Sequence, residues 1–136
     1  MSPTGKFHRI DPEGLPYHPE KLQRKPDVGL SELLALDVRV GRVVSVEDND
    51  GARDPAYAIS VDFGPAIGLL VTSAKVRNYG IDQLLGRLVV GVINLGTRKI
   101  ASVLSEFLIL GALMPDGTVK LLGFDDAEVV PGMSIG

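Results

Sequence analysis

Residues 57–63, with the sequence YAISVDF, alternate large apolar side chains with small or polar ones. Because successive side chains of a β-strand point to opposite faces of the sheet, an alternation with a period of two predicts a strand with one buried face. We therefore expect the odd-numbered side chains of this stretch to point into a core, namely Tyr57, Ile59, Val61 and Phe63.

A second strand is predicted directly after the first. Gly64 and Pro65 are typical turn residues, and apolar residues continue the alternation at Ile67, Leu69 and Val71. This pattern predicts an antiparallel hairpin in which the odd-numbered residues of both strands share the buried face.

Strand signals extend in both directions from this hairpin. The valine-rich residues 38–46 predict a preceding strand, and a short helix at 81–85, ended by Gly86, is predicted after it. Further strands are predicted at 87–94 and at 106–112, where the chain is apolar enough for burial on both faces. This order predicts an all-β protein, an OB-fold five-stranded Greek-key barrel with the short helix between strands 3 and 4.

The chain divides into two parts near residue 29. Residues 1–28 hold five of the nine prolines, both histidines and no apolar periodicity, which predicts an extended proline-rich N-terminal arm. The arm is interpreted either as a disordered tail or as a strap on a partner subunit, anchored by Phe7, Ile10, Leu15 and Tyr17. The barrel domain is predicted at 29–136, and it includes extra C-terminal strands at 119–122 and 129–135.

Composition restricts the function. With 136 residues, 45% of them hydrophobic, the chain fits one domain with one core, and the lack of cysteine excludes disulfides, thiolate metal sites and a cysteine nucleophile. The lack of cysteine fits a reducing compartment, so we expect a cytoplasmic protein. No apolar run approaches about 20 residues, so we expect no membrane insertion. The 14 basic and 17 acidic residues give a net charge of −3, so an RNA-binding site would have to be local.

Several short motifs occur in a fixed order along the barrel domain. The segment DVRVG at 37–41 opens the first strand, and the later motifs are ARDPAY at 52–57, DFG at 62–64, Ile67-Gly68, Ser73-Ala74, Tyr79, Gly86, Asn94 and Ser105-Glu106. Over about residues 35–136 the chain resembles the CsaA export chaperones and the related EMAP-type tRNA-binding domains. The Pro-Ala-Tyr and Asp-Phe-Gly motifs resemble CsaA more than the domains appended to synthetases.

The resemblance implies a binding protein. CsaA-like proteins are homodimers that hold unfolded preproteins and contact the secretion machinery, whereas their relatives bind tRNA, and neither group needs a cofactor. The chain has no phosphate loop and no metal-spaced histidine pair, and both histidines lie in the arm. We therefore expect no enzymatic activity, no metal and no cofactor.

One loop departs from the family pattern. The family has N-[FL]-P-P-[RK]-x-I after the fourth strand, whereas residues 94–100 read NLGTRKI, without either proline. Since two fixed φ angles are lost and a glycine is gained, we expect a more flexible loop that binds its ligand more weakly.

Candidate RNA-binding residues lie near the ligand-binding face of the predicted barrel. Arg98 and Lys99 occupy the loop between the fourth and fifth strands, one of the two loops with which OB folds bind oligonucleotides. Tyr79 is the aromatic residue expected to be free to stack on a base, and the remaining candidates are Arg39, Lys75 and Arg77. Ordinary solvated surface charge is the alternative interpretation of these cations.

An apolar segment precedes the predicted fifth strand. Ile100, Val103 and Leu104 have little polar cover, so they are candidates either for binding an unfolded chain or for forming a dimer interface. Structural roles are expected for the family-motif residues Asp37, Gly41, Ser73, Asn94, Ser105 and Glu106. In particular, Ser105 and Glu106 would tie the fifth strand to nearby backbone N–H groups, and Asp37 would pair with Arg39.

Three functions remain open from the sequence. The first is a dimeric chaperone that holds unfolded preproteins for export, which the CsaA-like pattern and the acidic balance favour. The second is a tRNA-binding module, and the third is an assembly protein whose barrel only dimerises.

Overall fold

The computed structural model describes residues 17–49, 51 and 55–136. The proposed arm anchors Phe7, Ile10 and Leu15 lie outside these residues, whereas Tyr17 is half-buried. Between Tyr17 and Gly29 the chain forms one 3-10 turn at Pro19–Lys21 and is otherwise irregular and largely exposed. The role of the arm and the boundary at residue 29 therefore stay predictions.

The described residues form nine strands and two short helices. The helices are α1 (Leu30–Leu34) and α2 (Ile81–Leu84), and the strands are β1 (Val38–Asp48), β2 (Tyr57–Asp62), β3 (Leu69–Ala74), β4 (Leu88–Val92), β5 (Arg98–Ile100), β6 (Val103–Ser105), β7 (Leu108–Ile109), β8 (Gly111–Leu113) and β9 (Val119–Leu121). In the part of the chain that the structure describes, no helix is long and apolar enough to cross a membrane.

The predicted barrel is confirmed. Five antiparallel strands pair in the order β3-β2-β1-β4-β7, and α2 lies between β3 and β4 in the sequence. The long strand β1 pairs with β2 on one side and with β4 on the other, and an irregularity between Val43 and Ser45 marks a bulge. Since bulges bend strands and increase their twist, this one helps β1 to take part in both halves of the barrel wall.

The alternation in residues 57–63 produces the core of the barrel. Tyr57 is 6% exposed, and Ile59, Val61 and Phe63 are fully buried. The ring of Phe63 meets that of Phe107 edge-on at 4.9 Å between centroids. Gly41 of the DVRVG motif passes close to this core, because a Cβ there would overlap the side chain of Val61. A side chain at position 41 would therefore disturb this core.

The predicted inward face of the next strand is wrong. Leu69 is 62% exposed, whereas Thr72 and Ala74 are buried. Val61 pairs with Leu70 in the β2–β3 hairpin, so odd-numbered residues of β2 share a face with even-numbered residues of β3. The turn between Phe63 and Gly68 therefore shifts the alternation by one residue.

The C-terminal strands also differ from the prediction. Instead of one strand at 106–112 buried on both faces, the chain forms β7 and β8, and Leu108 remains 37% exposed. The hairpin of β8 and β9 confirms an extra strand near 119–122. Residues 129–135 form no strand and make a single bridge between Arg39 and Ser134.

Side chains join β3 to the chain that enters β7. We call this region the polar seam, made of residues 71–73 of β3 and residues 105–107. The N–H of Val71 donates to Glu106 Oε1 at 2.9 Å, and the N–H of Glu106 donates to the carbonyl of Val71 at 2.7 Å. The N–H of Ser73 donates to Ser105 Oγ at 3.3 Å.

A buried hydroxyl completes the polar seam. Thr72 Oγ1 donates to the carbonyl of Phe107 at 2.7 Å and lies 3.0 Å from Ser105 Oγ. The side chains of Ser105 and Glu106 therefore replace main-chain partners that a regular neighbouring strand would supply. Both side chains thus join β3 to the chain that enters β7.

Replacing Glu106 tests the polar seam. We expect Glu106→Ala to lower the free energy of unfolding by about 1–3 kcal/mol, because it leaves the N–H of Val71 without its acceptor. Glu106→Gln keeps an acceptor oxygen and should lose less, and Glu47→Ala removes an exposed carboxylate on β1 as a control. Urea denaturation measures the three values, and an equal loss for Glu106→Ala and Glu47→Ala would contradict the role of the seam.

Candidate functional site

An open cleft of about 300 Å³ lies beside the polar seam, and we call it the seam cleft. Its walls come from β3, from the loop and hairpin at 95–100, and from β7. The lining is mainly apolar, with Leu95 and Leu108 among the residues that remain partly accessible. Lys75 and Arg98 add positive charge.

The structure brings five of the sequence-predicted residues together in the seam cleft: Ser73, Lys75, Arg98, Ile100 and Ser105. The hydroxyl of Ser105 is part of the polar seam, so the same side chain holds the barrel together and lines the cleft. Arg98 is exposed and Ile100 is half-buried. A ligand in the seam cleft would therefore meet an apolar floor, a few hydroxyls and cationic groups.

Residues 94–100 do not form a single extended loop. They contain β5, which pairs with β6 through a two-residue turn at Ala101 and Ser102. Arg98 pairs with Ser105, and Ile100 pairs with Val103. The hairpin of β5 and β6 was not predicted, because the sequence comparison treated this segment as a loop that had lost its prolines.

Ile100, Val103 and Leu104 do not form one apolar surface, because Ile100 and Val103 share one face of the hairpin and Leu104 lies on the other. Lys99 and Leu104 are cross-strand partners, and side chains alternate along a strand, so these two lie on the opposite face of the hairpin from Arg98 and Ile100. Leu104 is 53% exposed there. The two basic residues of the hairpin likewise point to different faces.

Arg77 contacts residues of the barrel rather than extending into solvent. Its guanidinium lies 2.9 Å from Asp48 Oδ1, donates to the carbonyl of Ala56 at 3.1 Å, and covers the ring of Tyr57 at 4.7 Å from the centroid. These contacts tie the start of β2 to the segment after β3. Arg77 therefore has a structural role that the sequence did not indicate.

Tyr79 is not free to stack, which corrects the expectation from the sequence. Its hydroxyl accepts the N–H of Leu121 at 3.0 Å, and the guanidinium of Arg87 lies 5.0 Å from its ring centroid. Its carbonyl accepts the hydroxyl of Tyr57 at 2.8 Å. The ring is half-buried and packs against the core.

The motif at the start of β1 holds the chain around it. Arg39 Nε lies 2.6 Å from Asp37 Oδ1, which confirms the predicted pair, and neither residue lines the seam cleft. Asn94 Oδ1 accepts the N–H of Asp37 at 2.8 Å, and Asn94 Nδ2 donates to the carbonyl of Ala35 at 2.9 Å. Asn94 thereby fixes the end of α1 to the end of β4.

Sequence reasoning missed most of the apolar floor of the seam cleft. The missed residues include Val76, Leu95, Phe107, Leu108 and Ile109. Phe107, Leu108 and Ile109 belong to the apolar run at 106–112, which predicts a strand buried on both faces rather than a cleft wall. Within residues 17–49, 51 and 55–136, no group of three or more His, Cys, Asp or Glu side chains is arranged to hold a metal ion.

Comparison with known proteins identifies the family. The family model described as "Putative tRNA binding domain" matches residues 38–134, which is more than half of the chain. Among curated proteins, the methionine–tRNA ligase of Pyrococcus furiosus is 37% identical over 107 residues. The match covers 73% of this chain but only 14% of the ligase, so the chain spans a small part of that relative.

Two solved structures match the chain over about four fifths of its length. The CsaA chaperone protein from Picrophilus torridus has a TM-score of 0.75 and 35% identity, and the match covers 81% of this chain and 100% of that chain. The chaperone CsaA from Bacillus anthracis also has a TM-score of 0.75, with 32% identity and 82% and 100% coverage. Because the family model matches more than half of the chain, the chain belongs to the family of putative tRNA-binding domains, and it is similar in structure to the CsaA chaperones.

Proposed function

We propose that the chain is a non-catalytic, cytoplasmic chaperone that holds unfolded preproteins for export by binding their apolar side chains in the seam cleft. The observation that carries this proposal is the mainly apolar, open lining of the cleft, with Leu95 55% and Leu108 37% exposed. The similarity to the CsaA chaperones supports it. Contact with the secretion machinery belongs to the same proposal and rests on the resemblance alone.

The dimensions of the seam cleft suit this ligand. About 300 Å³ is at the lower end of the range for small-molecule pockets, which is enough for a few side chains of an extended peptide. The hydroxyls of the polar seam lie beside the apolar floor, so a bound peptide would meet both apolar and polar groups. Apolar contact tolerates many sequences, which is what a protein that holds different unfolded chains requires.

A charge placed in the seam cleft tests peptide binding. We expect Leu95→Asp to weaken binding of a labelled, permanently unfolded polypeptide by about tenfold or more, since burying a leucine side chain contributes about 1.5–3 kcal/mol. Leu69→Asp is the matched control, because Leu69 is 62% exposed and lies outside the cleft. Fluorescence anisotropy measures both affinities, and equal weakening by the two variants would place the peptide elsewhere.

Binding of tRNA is the second candidate function. Arg98 and Lys99 are both exposed on the β5–β6 hairpin beside the seam cleft, and the matching family model describes a tRNA-binding domain. Local positive charge of this kind can attract phosphates although the chain carries a net charge of −3. Tyr79 adds little to this candidate, because Arg87 and Leu121 already engage it.

The salt dependence of tRNA binding tests this candidate. We expect the double replacement of Arg98 and Lys99 by alanine to weaken binding of bulk tRNA and to reduce the slope of log K against log salt by about 1–2, because each lost phosphate contact removes about 0.7–0.9. The matched control replaces Arg24 and Lys25, another pair of basic residues that lies before α1, by alanine. An unchanged slope in the hairpin variant would exclude these residues as the phosphate site.

We also propose that the chain forms a homodimer. Leu30 and Leu34 of α1 are each 68% exposed, and Leu33 and Leu36 beside them are 49% and 40% exposed. Soluble monomers rarely expose a continuous apolar patch of this kind, so a second copy is the occupant that the CsaA resemblance suggests. Asn94 holds the end of this patch against the barrel.

Light scattering tests the dimer. We expect a mass of twice the 14.5 kDa of one chain, and we expect replacement of Leu30 and Leu34 by aspartate to return the mass of one chain. The expected cause is the cost of burying two carboxylates in an apolar interface. A wild-type mass of 14.5 kDa at working concentration would contradict the proposal, whereas a dimer that binds neither peptide nor tRNA would favour an assembly role.

A further inference from the structure

Asn49 connects three segments around the seam cleft. It follows the end of β1 directly, and its N–H donates to the carbonyl of Ala56 at 3.1 Å, which closes the loop between β1 and β2. Its side-chain Nδ2 donates to Ser73 Oγ at 2.8 Å and to the carbonyl of Ile100 at 3.2 Å. One amide group therefore links this loop, β3 and the β5–β6 hairpin.

Asn49 is a polar residue in a buried position. The residue is 4% exposed, and its Oδ1 has no hydrogen-bond partner among the described residues. A buried acceptor without a partner is destabilising, and an apolar residue of similar size would avoid that cost. The two hydrogen bonds donated by Nδ2 are therefore the features that account for an asparagine at this position.

The hairpin that Asn49 holds has a strained turn. Ala101 has a φ of +57°, a conformation that costs energy for a residue other than glycine. The loop between β1 and β2 approaches this turn, because a Cβ built on Gly51 would lie 3.1 Å from the Cβ of Ala101. Strained turns persist where the surrounding structure fixes them, and Asn49 binds the residue directly before Ala101.

We propose that Asn49 is a positioning residue that holds the β5–β6 hairpin so that Arg98 and Ile100 line the seam cleft opposite Ser73. Asn49 does not itself line the cleft, so it acts on a ligand through the hairpin. The inference rests on the proposed function in that the ligand used to test it is an unfolded polypeptide. It explains how a loop that lacks the two prolines of the family pattern keeps a defined cleft wall.

A binding experiment with matched variants tests the affinity that Asn49 supports. The probe is fluorescein-labelled lactalbumin that has been reduced and carboxymethylated, so that it stays unfolded. We expect Asn49→Ala to weaken its binding by about tenfold, the amount that corresponds to loss of one or two hydrogen bonds that orient the hairpin. Val43→Ala, a core variant of β1 outside the cleft, serves as the stability control and should bind within about twofold of wild type.

A double-mutant cycle separates positioning from a general structural role. If Asn49 acts through the hairpin, Asn49→Ala should weaken binding by less than about threefold in a background in which Arg98 and Ile100 are already alanine. A tenfold effect in both backgrounds, or an affinity for Asn49→Ala within twofold of wild type, would overturn the proposal. Asn49→Thr, which keeps one hydroxyl donor, is the second variant if Asn49→Ala does not fold.

Amide hydrogen exchange without ligand tests the same inference independently of peptide binding. We expect exchange in residues 98–105 to be faster in the Asn49 variants than in Val43→Ala at equal global stability. Unchanged exchange in this hairpin would overturn the positioning role. If wild type binds no unfolded polypeptide, the proposed chaperone function fails, and the exchange result still decides whether Asn49 holds the hairpin.

Discussion

Closure of the barrel at β3 is the constraint on which the rest of the structure depends. On the side of β3 away from β2 there is no regular neighbouring strand, and there the N–H groups of Val71 and Ser73 donate to the side chains of Glu106 and Ser105. The N–H of Glu106 donates to the carbonyl of Val71 in the same place, so one main-chain hydrogen bond and two side-chain acceptors join the two walls of the barrel here. Hydrogen bonds to side chains therefore join the barrel at a place where the main-chain hydrogen bonding between strands is incomplete.

The seam cleft lies beside this part of the barrel wall. Side chains of β3, the β5–β6 hairpin and β7 line a concave surface between walls that hydrogen bonds join only at intervals. The phase of β3 contributes as well, since Thr72 and Ala74 point toward the core while Leu69 points away from it. Ser73 and Ser105 belong both to the polar seam and to the lining of the cleft, so changes at these two residues alter both features.

The sequence predicted the features that depend on local pattern. The alternation from Tyr57 to Phe63, the helix stop at Gly86 and the pair of Asp37 with Arg39 each involve residues close along the chain, and the structure contains all three. Prediction failed at one local feature, the turn ending at Gly68, which shifts the phase of β3 by one residue. It also failed where distant residues decide, since Arg87 and Leu121 engage Tyr79 from other parts of the barrel. Asn49 gave no signal, because its partners Ser73 and Ile100 are far from it in sequence.

The segment near residue 134 affects how the barrel can form. Gly132 donates its N–H to the carbonyl of Val40, and Ile135 donates to the carbonyl of Val38, so late residues run beside the start of the first strand. During synthesis, β1 leaves the ribosome long before this segment and cannot complete its hydrogen bonding until the segment has been made. Contacts of such large sequence separation slow folding, because a long loop must close before they form. The nascent barrel therefore passes through a period in which Val38 and Val40 lack these partners, although β2 and β4 can already pair with β1.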